Sequence, residues 1–480
     1  MFTFIIIEII INTNIIYRRP TMFIDRANEL ATLEREYGKK EASFVVVYGR
    51  RRIGKTTLIR HFCEDKRSLY FLATEENETE NRNALKTLIA ESFGNELLKS
   101  ASVNDWMPLF RLIAEESEKE RIVLVIDEFQ YLGKANKAFP SVMQKIWDEI
   151  LRESNIMLII CGSLINMMTT QVLNYDSPLY GRRTAQIKLK QIDFSYYKDF
   201  DETLSLEDQI LQYSVTGGVP KYIELFGKGI DIYDAIRNNI LSTNSFLYAE
   251  PEFLLQKEVS EIGSYFSVLK TIAAGNHKLG KIATTLEVSQ TSLTSYLKTL
   301  VDLDIIEREV PITEENPEKS KMGLYRIKDN FIEFWFKFVY PNRSLLESGQ
   351  TEYVEDKIRQ NFIDNHVAYV YEDICRSKVW SLLSDDLSFN RVGRWWGSKD
   401  VEIDIVAYDA MGKDIIFGEC KYSKHQKGMD VLKSLQDKAR SVDWNKNSRK
   451  EHFAIYSKSG FSDELIKYAD EKPGIYLIEF

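Results

Sequence analysis

The sequence predicts an α/β protein: an α/β core with a helical cap, a three-helix module with a β wing, and a second α/β unit at the C-terminal end. Three observations carry this. The stretch SFVVVYGRRRIGKTTLIRHF joins a β-branched run to a helical pattern through a glycine turn. Between residues 261 and 311 the segments YFSVLKTIAAG, LGKIATTLEVS and TSLTSYLKTLVDLDIIERE repeat apolar residues at helical spacing. EIDIVAYDAMGKDIIFGECKY, Glu402 to Tyr422, makes two short strands around a turn, with acids where buried strands are otherwise apolar.

A chain of 480 residues accommodates about three domains. We place four segments, the second being a cap on the first: 22–190 (core), 191–255 (cap), 256–328 (three-helix module) and 329–480 (C-terminal unit). With 44% hydrophobic and 28% charged residues the composition is that of a soluble globular protein. A net charge of -9 argues against a generally basic nucleic-acid coat and leaves room for local basic patches. Cys63, Cys161, Cys375 and Cys420 are scattered without a CxxC pair, which fits a reducing cytoplasm and gives no zinc site. The opening run MFTFIIIEIIINTNIIYRRP is shorter than the ~20 apolar residues of a membrane helix and contains Glu8, Asn12 and Asn14. Its Arg18 and Arg19 follow the apolar run, the reverse of a secretory signal. Met22 is therefore the expected natural start, with a weak membrane anchor as the alternative. No other stretch is long and apolar enough to span a bilayer.

Gly49 to Thr56 satisfies G-x-x-x-x-G-K-[ST] between a strand and a helix, the context that this phosphate-binding loop requires. Gly49, Arg50, Arg51, Arg52, Ile53, Gly54, Lys55, Thr56 and Thr57 form the expected cradle for ATP. Its backbone N–H groups and the helix N-terminus face the anion. Lys55 reaches the β- and γ-phosphates and Thr56 holds Mg²⁺. RIVLVIDEFQYL is an apolar strand ending in Asp127 and Glu128, and ligand groups sit at the carboxyl ends of such strands. Asp127 suits the Mg²⁺-side carboxylate and Glu128 the base that orients the attacking water. IMLIICGSLINMM is a third apolar strand, ending near Ser163, a candidate reporter of the γ-phosphate. SPLYGRRTAQIKL puts Arg182 and Arg183 on a turn, either as a solvated pair or as charges for a neighbouring subunit's nucleotide in a homo-oligomer. In VTGGVPKYIELF, Pro220 starts a helix and Lys221 either closes over the nucleotide or lies at the surface.

FIDRANELATLEREY, VVVYGRRRIGKTTL, LVIDEFQYL, IICGS, PLYGRRT and TGGVPKY together resemble the archaeal-type ATPases among the AAA+-related, STAND-like P-loop proteins, over residues 22–240. The resemblance implies a P-loop ATPase core with a small helical lid. It also implies ATP binding and hydrolysis by Gly49, Gly54, Lys55, Thr56, Asp127 and Glu128, and an arginine finger from Arg182 or Arg183.

The three helices, with IIEREVPI and LYRI as strands, make a winged-helix pattern. Its second short helix, starting near Ser289, would enter a DNA major groove with Ser289, Gln290, Thr291 and Ser295. Glu287 offsets Lys278, Lys281 and Lys298, so phosphate-contacting charge is thin, and in this family such a module often serves as an intramolecular connector. IKDNFIEFWFKFVYPNRSLLESG reads as an aromatic amphipathic helix ending at Pro341, its rings a packing face.

A helix bearing Glu372, a strand with Asp404 and a strand with Glu419-x-Lys421 follow in the order of a PD-(D/E)XK nuclease core, a restriction-endonuclease-like fold. Asp404 and Glu419 are expected Mg²⁺ ligands, hard oxygens suited to that ion. Lys421 shares a strand face with Glu419 and is the expected catalytic lysine; Glu372 is a second-metal or water-holding carboxylate, and Glu402 a reserve ligand. The acids are expected to repel each other unless a metal cation sits between them. Ile403 stands where the superfamily's motif has proline. The basic stretch YSKHQKGMDVLKSLQDKARSVDWNKNSRK is either a nucleic-acid backbone contact or a solvated helix face. From about residue 330 the chain resembles the uncharacterised domain that accompanies these ATPases. The functional expectation is an ATPase coupled to a metal-dependent nuclease-like domain acting on nucleic acid, DNA ahead of RNA, with no membrane. The alternatives are an ATP-dependent DNA-binding regulator with a degenerate nuclease-like domain, or a scaffold for a protein partner.

Overall fold

The computed structural model describes residues 23–383, 387–397 and 401–480; the expectation about the segment before Met22 lies outside them. The core strands are β1 (Ser43–Tyr48), β2 (Ser68–Leu72), β3 (Ile122–Asp127), β4 (Ile156–Gly162) and β5 (Ala185–Lys188). They form one parallel sheet in the order β2-β3-β4-β1-β5. β1, β3 and β4 are buried along their whole length, as apolar runs covered by helices on both faces must be. Because β4 lies between β1 and β3, the carboxyl ends carrying Gly49, Ser163 and Asp127 are neighbours, although more than a hundred residues separate the first from the second.

Helices Leu206–Thr216, Pro220–Phe226, Ile232–Ile236 and Glu250–Glu258 build the cap. Helices Ile262–Ala273, Leu279–Leu286 and Gln290–Asp302 follow, then the antiparallel pair β6 (Ile306–Glu309) and β7 (Leu324–Ile327). Ser289 caps the third of these helices by accepting from Ser292 N–H at 3.1 Å. The segment between β6 and β7 leans on the C-terminal unit: Ile312 N–H donates to Arg394 O at 2.9 Å, and Tyr408 OH to Ile312 O at 3.1 Å.

Helix Asn330–Phe334 and the continuing turn Trp335–Val339 keep the expected packing face: Phe331, Ile332, Phe334, Trp335 and Phe336 are buried where cap, three-helix module and C-terminal unit share one apolar core, and on the other side half-buried Glu333 pairs with Lys337 at 2.8 Å. The helical path does not stop at Pro341, which sits early in a 3₁₀ turn leading to helix Arg343–Glu347. There its missing N–H costs nothing.

Helices Thr351–Phe362 and Ala368–Leu383 precede β8 (Arg391–Trp396), β9 (Glu402–Tyr408), β10 (Asp414–Lys421), β11 (Lys450–Ser457) and β12 (Ile475–Glu479). The sheet order is β12-β11-β10-β9-β8, antiparallel from β8 to β10 and parallel from β10 to β12. Helix Ala368–Leu383 packs on one face with Ile405 and Ile416, and helix Met429–Ala439 on the other with Val406 and Phe417. Among the described residues no helix is long and apolar enough to cross a membrane.

Candidate functional site

The loop after β1 begins at Gly49, where φ is 148° and an added Cβ would lie 2.4 Å from Leu189 O. Only glycine fits. Helix Lys55–Cys63 then presents its first turn to the sheet's carboxyl end. Lys55 is buried and its Nζ donates to Gly49 O (2.8 Å) and Arg50 O (2.7 Å); burial lowers its pKa. Arg26 fastens the far side of the loop, donating to Ile53 O (3.1 Å) and Lys190 O (2.8 Å). Thr56 is exposed and donates to Asp127 Oδ2 at 3.1 Å, while half-buried Thr57 follows on the same turn.

Three acid-end side chains meet this loop. Asp127 Oδ2 also accepts from Tyr70 OH, and Oδ1 accepts Glu128 N–H at 2.9 Å. Glu128 adopts the left-handed region, φ 54°. Its Oε2 collects Ser163 Oγ (2.7 Å), Ser163 N–H (3.3 Å) and Gln130 Nε2. Ser163 thus engages the candidate base itself. The hard oxygens of Thr56 and Asp127 suit Mg²⁺.

The loop's three arginines diverge. Arg50 pairs with Asp329 Oδ2 at 2.5 Å; Arg52 pairs with Glu250 and lies 4.2 Å from the Phe246 ring centroid; Arg51 donates to Tyr131 OH at 3.0 Å. A small cavity brings Arg50, Arg51 and Ser163 against Leu254 and Glu258 of the cap and Ile305 beyond it. Arg182 makes a two-pronged pair with Asp148 (2.8 and 3.0 Å), and Arg183 lies 5.7 Å from the Tyr180 ring. Lys221 is exposed beside Glu224 at 3.1 Å.

In the C-terminal sheet, Ile405 stands opposite Gly418, so Asp404 and Glu419, one step further, share a face. At that point the ladder opens and Asp404 Oδ2 accepts Cys420 N–H at 2.8 Å. Burial and the Glu419 charge push Asp404 up to about 6. Glu419 is buried and bonded to Lys421 (2.7 Å) and to Lys438 (2.8 Å) of helix Met429–Ala439. Glu372 comes from the helix on the other face and pairs with Arg394 at 2.5 Å; burial and Asp404, opposed by Arg394, push it up to about 8. Glu402 is tied to Arg394 (3.1 Å) and Arg326 (3.4 Å). Among the described residues no three His, Cys, Asp or Glu side chains gather to hold one ion.

Residues 23–226 match the model of an ATPase domain predominantly from Archaea. An uncharacterized protein of Methanocaldococcus jannaschii, MJECL04, is 35% identical over 421 residues, covering 87% of this chain and 91% of its own. The chain belongs to the archaeal-type P-loop ATPase family. Over 46 residues this ATPase is also 48% identical to an uncharacterized ATP-binding protein of the same organism, MJ0423, covering 10% of this chain and 78% of that one. The Walker-type ATPase PABY2304 of Pyrococcus abyssi has a similar fold, at a TM-score of 0.52 and 19% identity, over 66% of this chain and 97% of its own. Residues 335–433 match archaeal and bacterial proteins described as of unknown function.

Sequence reasoning passed over Arg26, Tyr70, Glu250, Asp329 and Lys438. The D-R of FIDRANEL was a usable signal for Arg26. The others meet their partners only through the tertiary fold: Tyr70 and Asp127 are 57 residues apart, Arg50 and Asp329 279 apart.

Proposed function

We propose that this ATPase binds ATP on the Gly49–Thr57 loop and hydrolyses it with Glu128, and that its cycle governs a nucleic-acid-acting C-terminal half. The supporting observation is that the loop meets the end of β3: Lys55 closes on Gly49 O, Thr56 donates to Asp127 Oδ2, and Glu128 Oε2 is held by Ser163 and Gln130. Lys55 and the loop amides take phosphate charge, and Glu128 orients water through its other oxygen. Thr56 and Asp127 would hold a Mg²⁺ ion, which would supply charge neutralisation to the bound phosphates. Arg182 and Arg183 are the candidates for a charge donated across subunits of a homo-oligomer in the cytoplasm.

For the C-terminal half we propose a PD-(D/E)XK nuclease-like centre of Asp404, Glu419 and Lys421, supported by the shared face of the two acids and the raised Asp404 pKa. A Mg²⁺ ion between them would polarise a phosphodiester. The degenerate, binding-only reading is favoured by one observation: Lys438 and Arg394 already neutralise Glu419 and Glu372. The three-helix module is read as a winged helix whose exposed Ser289, Gln290, Thr291 and Ser295 face DNA, while the wing side is taken up by β8.

The test is phosphate release by wild type, Lys55→Ala and Glu128→Gln, beside cleavage of single- and double-stranded DNA and RNA with Mg²⁺ or Mn²⁺, with and without ATP. Equal release by all three chains ends the ATPase assignment to these residues. Cleavage lost in Asp404→Ala with ATP hydrolysis intact supports the nuclease centre. Salt-sensitive binding without cleavage selects the degenerate reading. The absence of any nucleic-acid binding selects a protein scaffold.

A further inference from the structure

We propose that Asp329 and Glu250, both beyond the segment that matches the ATPase domain, are positioning residues of the nucleotide loop. Through Asp329 the C-terminal half would register whether that loop is occupied. The inference rests on the ATP-binding reading above and adds its regulation.

Arg50 and Arg52 belong to the phosphate cradle, yet each side chain ends on a buried acid from another part of the chain. The Asp329 carboxylate is fully buried and does three things at once. Oδ2 takes Arg50 at 2.5 Å and Gln191 Nε2 at 3.0 Å, and Oδ1 caps helix Asn330–Phe334 by accepting Ile332 N–H at 2.8 Å. One group therefore ties the loop to the helix that opens the C-terminal half. Glu250, also buried, takes Arg52 and accepts from Tyr222 OH at 2.8 Å. Tyr222 packs on Phe331 of that same helix, with ring centroids 4.7 Å apart.

The TGGVPKY motif acquires a purpose here. Gly218 (φ 71°) lets the backbone approach Ile192, where a Cβ would lie 2.1 Å from the carbonyl oxygen. Asn330 Nδ2 donates to Tyr213 O at 3.2 Å, one turn before the double glycine. The motif seats the Asp329 helix against the core rather than reaching the phosphates itself.

The coupling follows from Lys55, which donates to the carbonyls of Gly49 and Arg50. A phosphate on the loop competes for that ammonium, so the backbone carrying Arg50 changes partners when nucleotide binds. Asp329 feels the change directly. By linkage, whatever Asp329 does to the loop, nucleotide does to the Asp329 helix.

The test uses the full chain with fluorescent ADP and ATP analogues and hydrogen exchange of residues 330–345. Asp329→Asn keeps the size and the cap acceptor and removes the charge; Arg50→Gln breaks the pair from the other side. In wild type, nucleotide shifts exchange of the 330–334 amides at least tenfold. In either variant nucleotide affinity falls about 10- to 100-fold, and the shift is absent even at saturation. The double variant loses no more affinity than the worse single, the signature of one shared interaction. A purely structural Asp329 would lower the thermal midpoint while leaving the nucleotide-dependent shift intact, and that result overturns the proposal. So do wild-type affinity in Asp329→Asn and additive losses in the double variant. If Asp329→Asn does not fold, Arg50→Gln carries the same two readouts. Nucleotide binding by wild type without any exchange shift refutes this coupling alone. Failure of wild type to bind nucleotide refutes the ATPase reading and the coupling together.

Discussion

Removing one hydroxyl at the edge of the nucleotide crevice should be felt as a change in magnesium dependence. Tyr70 on β2 donates to Asp127 Oδ2, the same oxygen that accepts Thr56. Burial, then the Asp127 charge, pushes the phenol's ionisation far up, so at neutral pH the Tyr70 hydroxyl keeps its proton and donates it to Asp127 Oδ2. Tyr70→Phe leaves Asp127 with Thr56 and the Glu128 amide and frees its carboxylate to rotate. A hydrogen bond to a charged acceptor contributes about 1.5–3 kcal/mol. At about 1.4 kcal/mol per tenfold, that is roughly a 10- to 100-fold rise in the Mg²⁺ concentration needed for half-maximal activity. Partners behind metal-binding carboxylates have effects of that size. The assay is a Mg²⁺ titration of phosphate release at saturating ATP, paired with fluorescent nucleotide binding in EDTA. The Mg²⁺ midpoint should move while metal-free nucleotide affinity stays within about threefold. An unchanged midpoint with a lower maximal rate would refute the assignment of Tyr70 to the metal side of the site.

Ser163→Ala removes the Oγ donor from Glu128 Oε2 but keeps the longer amide contact; kcat should fall about tenfold with KM for ATP within about twofold, measured by steady-state phosphate release. His366 is fully buried, donates from Nε2 to Ser214 O at 2.6 Å, and has its pKa lowered by burial from 6.5 to about 3. Because the folded-state pKa lies below the unfolded one, the neutral ring's contribution is fully present above about pH 6.5 and is lost as pH falls toward 3. The full linkage is up to about 5 kcal/mol. Urea unfolding of wild type and His366→Phe at pH 7 and pH 4.5 should show the variant less stable by about 1–3 kcal/mol at pH 7 but with a shallower loss on acidification.

The parts of the nucleotide site legible in sequence are those whose residues are neighbours along the chain. Gly49 to Thr56 announces itself because loop, lysine and hydroxyl fall within one turn, and Asp127-Glu128 because both end one apolar strand. The pairings Arg50–Asp329, Arg52–Glu250 and Tyr70–Asp127 leave no local signal. Tyr70 and Asp127 meet because β2 pairs with β3, Arg52 and Glu250 because the cap folds back over the loop, and Arg50 and Asp329 because the helix that opens the C-terminal half docks beside it. The aromatic stretch after Asn330 is legible as a packing face because its rings recur at helical spacing opposite Glu333 and Lys337; that three units close around those rings is not local information.

In the C-terminal centre two acids on adjacent strands should repel, and the sequence offers Lys421 and a metal ion as cations to offset them. The fold supplies another: Lys438, nineteen residues beyond Glu419, arrives on helix Met429–Ala439 and takes both carboxylate oxygens, at 2.9 and 2.8 Å. Lys421 holds the first of those oxygens as well. These ammonium groups offset part of the repulsion, although the Glu419 charge still raises the Asp404 pKa, and a divalent ion competes with Lys438 for Glu419. Lys438→Ala separates the two readings of the centre. If Asp404 and Glu419 form a metal site, removing the competing ammonium raises divalent affinity, and Mn²⁺ should lift the thermal midpoint of the variant several degrees more than that of wild type, since ligand binding to the folded state stabilises it. If the centre is a closed ion-pair network, the variant loses stability because Glu419 is left underpaired, and Mn²⁺ restores none of it. Adding Asp404→Ala to Lys438→Ala must abolish any Mn²⁺ shift; a shift that survives would place the ion elsewhere and remove the case for a metal between these two strands.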